Sequence, residues 1–218
     1  MRAIIFAYVL ASCCMVSQSF ADWAQFRGPS GNGYIGELSH PAEWSMKKNI
    51  AWSQSVPGGG WASPVIVGQR VFILTAVDSN NTKPLNHSGG VRNMRGKKPT
   101  EPYVFKLICL NAKDGSIEWE TILANEKPKH AIHPSNTYAT ESPVSDGNQV
   151  YCYSAAIGKV SAVDMNGKVS WSVNVGAFPS GNGFGTGSSL ALSEGKLFIQ
   201  CDNDKDSFVV ALEASNGK

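Results

Sequence analysis

The sequence predicts an all-β fold of repeated antiparallel sheets, and three observations support this prediction. Three segments end alike, at the turn residues Asp114, Asn166 and Asn216, which are 52 and 50 residues apart. An apolar stretch precedes each turn, at residues 71–74, 150–153 and 197–200. Charged residues make up 17% of the chain against a usual share of about 25%, which favours short strands joined by turns. A repeat of about 50 residues predicts the four-stranded blades of a β-propeller, with about three blades present.

Within each repeat, the local signals indicate strands and tight turns. Asp-Gly and Asn-Gly supply the positive φ angles that two-residue hairpins need. After the second turn, four apolar residues alternate with polar ones, namely Val169, Trp171, Val173 and Val175. Such a period of two is expected of a strand with one buried face. Ser-Pro at 63–64 and at 142–143, with Ser188-Ser189 in the matching place, opens each unit.

The chain begins with features of an export signal. Arg2 precedes the apolar stretch Ala3 to Leu10, and small residues ending at Ala21 follow, so residues 1–21 are predicted to be removed. The alternative is a lipoprotein signal with an acylated Cys13, and both place the chain in the periplasm or cell envelope. An N-terminal extension at 22–49 and repeats at 50–218 complete the predicted organisation. No later apolar stretch is long enough to span a bilayer.

These repeats resemble the pyrroloquinoline-quinone-like (PQQ-like, WD40-like) propeller repeat. The resemblance rests on Ser-Pro-Val, a Gly-containing turn, a strand ending in Ala-Val-Asp or Ala-Leu-Glu, then Asn-Gly-Lys and Trp. Quinoprotein alcohol dehydrogenases and the non-catalytic propeller lipoprotein of the outer-membrane protein assembly machinery share this repeat. Residues 23–29, 133–143 and 183–189 are similar to exported planctomycete-type proteins known only by the repeat. One propeller fold hosts many activities, so the resemblance implies the fold more than the function.

Trp119 and Trp171 occupy one place in successive units, and Trp52 has the same neighbourhood. The resemblance implies that these residues dock adjacent blades, with burial expected for Trp119 and Trp171. Trp52 is expected to lend a strand to the last blade of a closed ring. The third unit stops at Lys218, before its expected Trp, so an incomplete ring and a fragment of a longer protein are predicted.

Three loop segments are candidate functional segments. An insertion at 77–102 interrupts the first unit, and a solvated loop is the favoured interpretation over a binding loop. The candidate ligand or partner surface comprises polar and aromatic residues of two other loops: His133, Asn136, Tyr138, Glu141, Asn182 and Phe184. Loops at one end of a propeller converge on its channel. The alternative is that Asn136, Tyr138 and Glu141 satisfy backbone groups at a blade entrance.

Metal chemistry has weak support in the sequence. His130 and His133 are three residues apart, but no further zinc ligands are identified. Asp202, Asp204 and Asp206 have a spacing that suits calcium, yet their loop lacks the EF-hand glycine and terminal Glu, and a hairpin turn is favoured. Outside the signal, the three cysteines, Cys109, Cys152 and Cys201, lie in or beside apolar stretches and are predicted to be small buried residues.

Two functional hypotheses follow. The first is an exported, non-catalytic scaffold that binds a protein or a ligand and carries no cofactor. The alternative is a fragment of a PQQ-dependent dehydrogenase. The resemblance implies that such enzymes place adjacent cysteines over the quinone and Glu, Asn and Asp around calcium, whereas the adjacent cysteines here, Cys13 and Cys14, lie inside the signal. A formal net charge of +2 gives no reason to expect a nucleic-acid partner.

Overall fold

The computed structural model describes residues 22–34, 36, 41–78, 98–133, 135–179 and 183–218. Every regular element of these residues is a β-strand, which confirms the all-β prediction. The described residues include no helix of the length and apolarity that a membrane crossing requires. The expected signal peptide, with Cys13, and residues 79–97 of the expected insertion lie outside the described residues.

Three antiparallel sheets follow one another along the chain, and we call them blades 1 to 3. Blade 1 consists of β1 (Val65–Val67), β2 (Arg70–Asp78), β3 (Tyr103–Asn111) and β4 (Ile117–Glu126). Blade 2 consists of β5 (Val144–Ser145), β6 (Gln149–Ser154), β7 (Lys159–Asp164) and β8 (Val169–Asn174). Blade 3 consists of β9 (Ala191–Ser193), β10 (Lys196–Cys201) and β11 (Phe208–Glu213). In each blade the strands pair in sequence order.

The described residues thus form three successive blades of an open propeller, as the repeat predicts. The short first strands lie side by side, because β1 contacts β5 and β5 contacts β9. They form the inner side of the arc, where a propeller has its channel. Among the described residues, blade 3 has one strand fewer than blades 1 and 2.

The repeated turns are longer than the expected two-residue hairpins. Residues 112–116 join β3 to β4, and residues 165–168 join β7 to β8. Gly115 and Gly167 do adopt positive φ angles, of 75° and 86°. The extra residues are accompanied by register shifts between Cys109 and Leu110 and between Ala162 and Val163. The extra residue of each bulge, Glu118 in β4 and Ser170 in β8, directly precedes the tryptophan of the same strand, and a bulge re-aims neighbouring side chains.

The three repeated tryptophans make one contact three times. The indole N–H donates to a backbone carbonyl beside the turn of the following unit: Trp52 to Ala112 at 2.9 Å, Trp119 to Met165 at 3.2 Å and Trp171 to Ala214 at 2.9 Å. All three side chains are half-buried rather than largely buried. Trp119 and Trp171 lie on β4 and β8, the last strands of their blades, and their indole side chains remain partly exposed to solvent. Residues 51–56, which include Trp52, form no strand.

Two apolar clusters join the blades. The first interface packs Phe72 and Leu74 of blade 1 against Val150 and Cys152 of blade 2. The second interface packs Tyr151, Tyr153 and Val160 of blade 2 against Leu197 and Ile199 of blade 3. The middle strands of blades 1 and 2 are buried over most of their length because both faces are covered. The other face of blade 3 leaves Phe198 and Val209 exposed.

The three cysteines of the described residues are buried and free, as the sequence predicts. Cys109 lies in β3, Cys152 in β6 and Cys201 in β10, so each blade holds one. Burial raises the pKa of the Cys109 thiol to about 12 and also raises the pKa of Cys152. These two thiols therefore stay protonated and behave as small apolar side chains.

The residues before the first blade contact the inner strands. Trp23 exchanges two backbone hydrogen bonds with Ile66 of β1, at 2.9 and 3.0 Å. The carbonyl of Ala24 accepts a hydrogen bond from the N–H of Ser145 of β5 at 2.8 Å. The beginning of the predicted extension at 22–49 therefore bridges blades 1 and 2 on the inner side of the arc.

Candidate functional site

Three equivalent segments lead into the inner strands, and we call them the entrance segments: residues 60–64, 139–143 and 186–190. One serine of each is linked to the serine of the next. The N–H of Ser63 donates to Oγ of Ser142, and the N–H of Ser142 donates to Oγ of Ser189, both at 2.9 Å. These bonds fix the entrance segments relative to one another. The end of the arc that carries the entrance segments is therefore formed by loops that are linked to one another.

An open groove of about 480 Å³ lies across the entrance segments. Its described lining consists of Trp61, His133, Ser135, Asn136, Thr140, Phe184, Gly185, Thr186 and Gly187. Trp61 and Phe184 are 53% and 45% exposed, and both rings belong to the lining of this one groove. Three of the sequence candidates, His133, Asn136 and Phe184, are therefore brought together in this groove.

Asn136 holds the two walls of the groove together. Its Nδ2 donates to the carbonyl of Phe184 at 2.8 Å. Its Oδ1 accepts hydrogen bonds from the N–H of Thr137 and from Oγ1 of Thr140, both at 2.7 Å. A side chain on Gly185, which has a φ of 91°, would meet Asn136 Nδ2 at 2.7 Å. The amide thus positions the loops, and its polar atoms are already engaged.

His133 presents a ring with a defined tautomer. The N–H of Ser135 donates to Nδ1 at 3.1 Å, and Oγ of Ser135 lies 2.6 Å from the same atom. Because Nδ1 accepts from the backbone, the proton of the neutral ring is on Nε2. The imidazole lies 5.4 Å from the ring of Phe184, in a tilted arrangement. The groove therefore combines a polar N–H edge with two aromatic surfaces.

The other candidates lie behind the groove or outside the described residues. Tyr138 is buried, its hydroxyl donates to the carbonyl of His130 at 3.0 Å, and its ring packs edge-on against Tyr103. Burial raises the pKa of Tyr138, so this side chain belongs to the core. Asn182 lies outside the described residues.

Glu141 is a fully buried carboxyl group at the boundary of blades 2 and 3. It accepts a hydrogen bond from Oγ1 of Thr186 at 2.5 Å and further bonds from backbone N–H groups. Burial outweighs these bonds and raises the pKa of Glu141 to about 7. Blade 1 has Ala62 at the equivalent position and blade 3 has Ser188. The carboxyl is therefore a specific feature of blade 2 and not part of the repeat.

Trp61 is the groove residue that sequence reasoning missed. It follows Gly58-Gly59-Gly60 and stands two residues before the Ser-Pro that opens the first unit. Aligning the three Ser-Pro-like openings places Trp61 opposite Thr140 and Gly187, both of which line the groove. The signal was thus present in the register of the repeat, although Trp61 does not belong to the repeated tryptophan set.

The candidate zinc and calcium ligands are not clustered in the described part of the chain. Among the described residues, no group of three or more His, Cys, Asp or Glu side chains is placed to hold a metal ion. The His130 ring is buried, which lowers its pKa, while His133 lies at the groove. Asp202 accepts a hydrogen bond from Oγ of Ser207 at 2.7 Å, within the turn that joins β10 to β11.

The chain is similar to a known protein family and to solved structures of other proteins. The sequence model of the family described as outer membrane protein assembly factor BamB matches residues 100–218, just over half of the chain. Quinohemoprotein alcohol dehydrogenase from Comamonas testosteroni is similar in structure, with a TM-score of 0.54 and 13% identity over 91% of this chain. The match spans 26% of that enzyme, so the likeness concerns the fold alone.

Two further solved structures are less similar to the chain, with TM-scores below 0.5. A europium-containing methanol dehydrogenase has a TM-score of 0.44 and 11% identity, over 75% of this chain and 24% of that one. Apo AztD from Citrobacter koseri has a TM-score of 0.35 and 16% identity, over 72% of this chain and 43% of that one. No curated protein sequence matches the chain.

Proposed function

The chain belongs to the family of the outer membrane protein assembly factor BamB, and from this premise we propose that it is an exported, non-catalytic scaffold of the cell envelope. Its role is to bind a protein partner through the groove at the entrance segments. The observation that carries this proposal is the exposure of Trp61 and Phe184 around one groove. Large aromatic side chains on fixed loops are typical of the central residues of protein interfaces.

The groove suits an extended, uncharged segment of a partner. Its described lining contains neither a carboxylate nor a lysine or arginine side chain. Gly185 and Gly187 leave the backbone of one wall accessible, and Trp61 and Phe184 provide apolar contact area. Because Asn136 and the serine-to-serine bonds already fix the loops, little conformational entropy is lost when a partner binds.

A catalytic role has less support in this groove. Asn136 uses its oxygen and its amide nitrogen to hold the loops, and Nδ1 of His133 accepts from Ser135. Glu141 is buried and bonded to Thr186 rather than presented to the groove. These groups are occupied by structural contacts, whereas a general acid or base must reach a substrate atom.

The residues also fit the quinone alternative poorly. The resemblance implies adjacent cysteines over the quinone, and the three described cysteines lie one in each blade. The proposed function therefore does not involve PQQ. The mature chain is expected to show no saturable binding of PQQ with calcium at micromolar levels, and dye-linked alcohol oxidation in its presence would support the dehydrogenase alternative.

The scaffold proposal is tested with an unfolded outer-membrane β-barrel polypeptide, diluted from urea and added to the immobilised mature chain. Trp61→Ala and Phe184→Ala are expected to weaken binding about tenfold each, or about 1.4 kcal/mol. Trp44→Ala is the matched control, because Trp44 is 71% exposed and lies outside the groove lining. Equal weakening by all three variants, or unchanged binding by the two groove variants, would contradict the proposal.

A further inference from the structure

A second cavity lies between blades 2 and 3, separate from the groove. Its volume is about 230 Å³, and its described lining consists of Tyr153, Ala155, Phe178, Gly185, Thr186, Gly187, Ser188, Gln200, Cys201 and Asp202. The segment 185–187 forms a wall of both, so the groove and the cavity lie on its two sides. Nothing in the proposed scaffold function uses this cavity.

Hydrogen-bond acceptors and aromatic rings dominate the cavity lining. Thr186, Gln200 and Asp202 supply oxygen acceptors, and the described lining contains no lysine, arginine or histidine. Two aromatic rings, those of Tyr153 and Phe178, belong to the wall. The Phe178 ring is held edge-on against Phe208, with 5.1 Å between the ring centroids. The Tyr153 hydroxyl lies 3.7 Å from the sulfur of Cys201.

The carboxyl group of Glu141 lies directly behind this wall. It is bonded to Thr186, and its charge contributes to raising the pKa of Tyr153, so both residues connect it to the cavity. The titratable groups that face it are Tyr153 of β6 and, beyond Tyr153, Cys201 of β10. No lysine or arginine among the described residues forms an ion pair with Glu141. A buried carboxylate without a cation is costly, and a cation brought close to it lowers that cost.

We propose that this cavity binds a small organic cation, of the ammonium or quaternary ammonium class. The rings of Tyr153 and Phe178 offer cation–π contacts, and the oxygens of Thr186, Gln200 and Asp202 offer acceptors for an N–H or O–H of the ligand. Asp202 in the lining and Glu141, bonded to Thr186 behind it, supply negative charge close to the cavity. An anionic ligand would meet the Asp202 carboxylate and no positive side chain of the described lining.

The position of Glu141 makes this binding depend on pH. Above about pH 7 the carboxyl is ionised and attracts the cation, and below that value it is neutral and the attraction is lost. Cation affinity is therefore expected to rise between pH 6 and pH 8.

The probe for this proposal is choline, with 3,3-dimethylbutan-1-ol as its uncharged counterpart, titrated into the mature chain at constant ionic strength and followed by calorimetry. Saturable choline binding at pH 8, at least tenfold tighter than that of the alcohol, is the expected result. Choline binding is expected to weaken at least threefold at pH 6. Absence of saturable binding, or equal binding of the two compounds, would overturn the proposal.

Three variants assign the contributions of the two carboxyl groups. Glu141→Gln is expected to weaken choline binding at pH 8 and to remove its pH dependence, because the neutral amide keeps the shape and the bond to Thr186. Asp202→Asn is expected to weaken binding at both pH values and to retain the pH dependence. Glu194→Gln, in the exposed turn between β9 and β10, is the control and should leave binding unchanged. An unchanged pH profile in a folded Glu141→Gln variant would refute the assigned role of Glu141.

Discussion

The two interfaces between blades have the same geometry and different chemistry. In the first interface, Leu74 of blade 1 faces blade 2 within an apolar cluster. In the second, the equivalent residue is Tyr153, which faces blade 3 beside Glu141 and Cys201. The first interface is filled by apolar and aromatic side chains, whereas the second also contains a buried carboxyl and a cavity. A repeat thus fixes how blades stack, and the residues that differ between repeats are where a particular binding property is built.

Exchanging the equivalent residues is expected to have the largest effect. Leu74→Tyr overfills the first interface and buries a hydroxyl without a partner, so the free energy of unfolding should fall by about 3 kcal/mol. Tyr153→Leu enlarges an existing cavity and removes a weak contact with Cys201, so a loss of about 1 kcal/mol is expected. Urea unfolding at pH 7 measures both values. If the two exchanges cost the same, the chemical difference between the interfaces has no energetic consequence.

The pH dependence of stability sharpens the same comparison. The pKa of Glu141 is raised from 4.5 to about 7 in the folded protein. Between these values the folded state holds a proton that the unfolded chain has released, so stability falls as the pH rises from 4.5 to 7. The loss from this group approaches about 3 kcal/mol above pH 7. Unfolding of the wild type and of Glu141→Gln at pH 5 and pH 8 measures it.

The outcome of that measurement is specific to one residue. Glu141→Gln should show a flatter dependence on pH, because the amide does not titrate. Glu194→Gln removes an exposed carboxyl and should keep the slope of the wild type. Parallel slopes for the wild type and Glu141→Gln would show that the carboxyl of Glu141 does not set the pH response of the second interface.

A smaller effect is expected at the turns that the repeated tryptophans contact. Gly167 has a φ of 86°, and a Cβ there would meet Trp119 at 2.9 Å. Gly147 has a φ of 88° with open space around it. Both alanine variants carry the backbone cost of a positive φ, about 1 kcal/mol, and Gly167→Ala should lose about 1 kcal/mol more through the ring. Thermal unfolding compares them, and equal losses would argue against docking by Trp119.

Much of the fold was predictable because repetition averages out local ambiguity. The equal spacing of Asp114, Asn166 and Asn216 predicted three antiparallel blades, and the structure confirms them. The turns are longer than predicted, and next to them a β-bulge adds a residue to the strands of Trp119 and Trp171, which a pattern of alternation does not reveal. The docking role of the tryptophans stays a prediction that the alanine variants test.

The candidate site was predictable only in part, because burial decides which polar residues are presented. His133, Asn136 and Phe184 share the groove, whereas Tyr138 and Glu141, a few residues away in the same segment, are buried. Tyr138 is buried against Tyr103 of blade 1, and Glu141 is bonded to Thr186, so contacts with residues far along the chain decide which side chains are exposed. The cavity beside Tyr153 was not predicted for the same reason, since its walls come from two blades.

The serine-to-serine bonds have a consequence for how such a protein grows in evolution. Ser63, Ser142 and Ser189 occupy equivalent positions in the three units. The hydroxyl of Ser142 accepts a hydrogen bond from the N–H of Ser63, and the N–H of Ser142 donates one to the hydroxyl of Ser189. The contact between blades is therefore head-to-tail, with a donor on one unit and an acceptor on its successor. A duplicated unit that keeps this serine fits before or after any other unit without a change in its neighbours. The number of blades can thus change by gene duplication while the residues that distinguish one blade, such as Glu141, diverge separately.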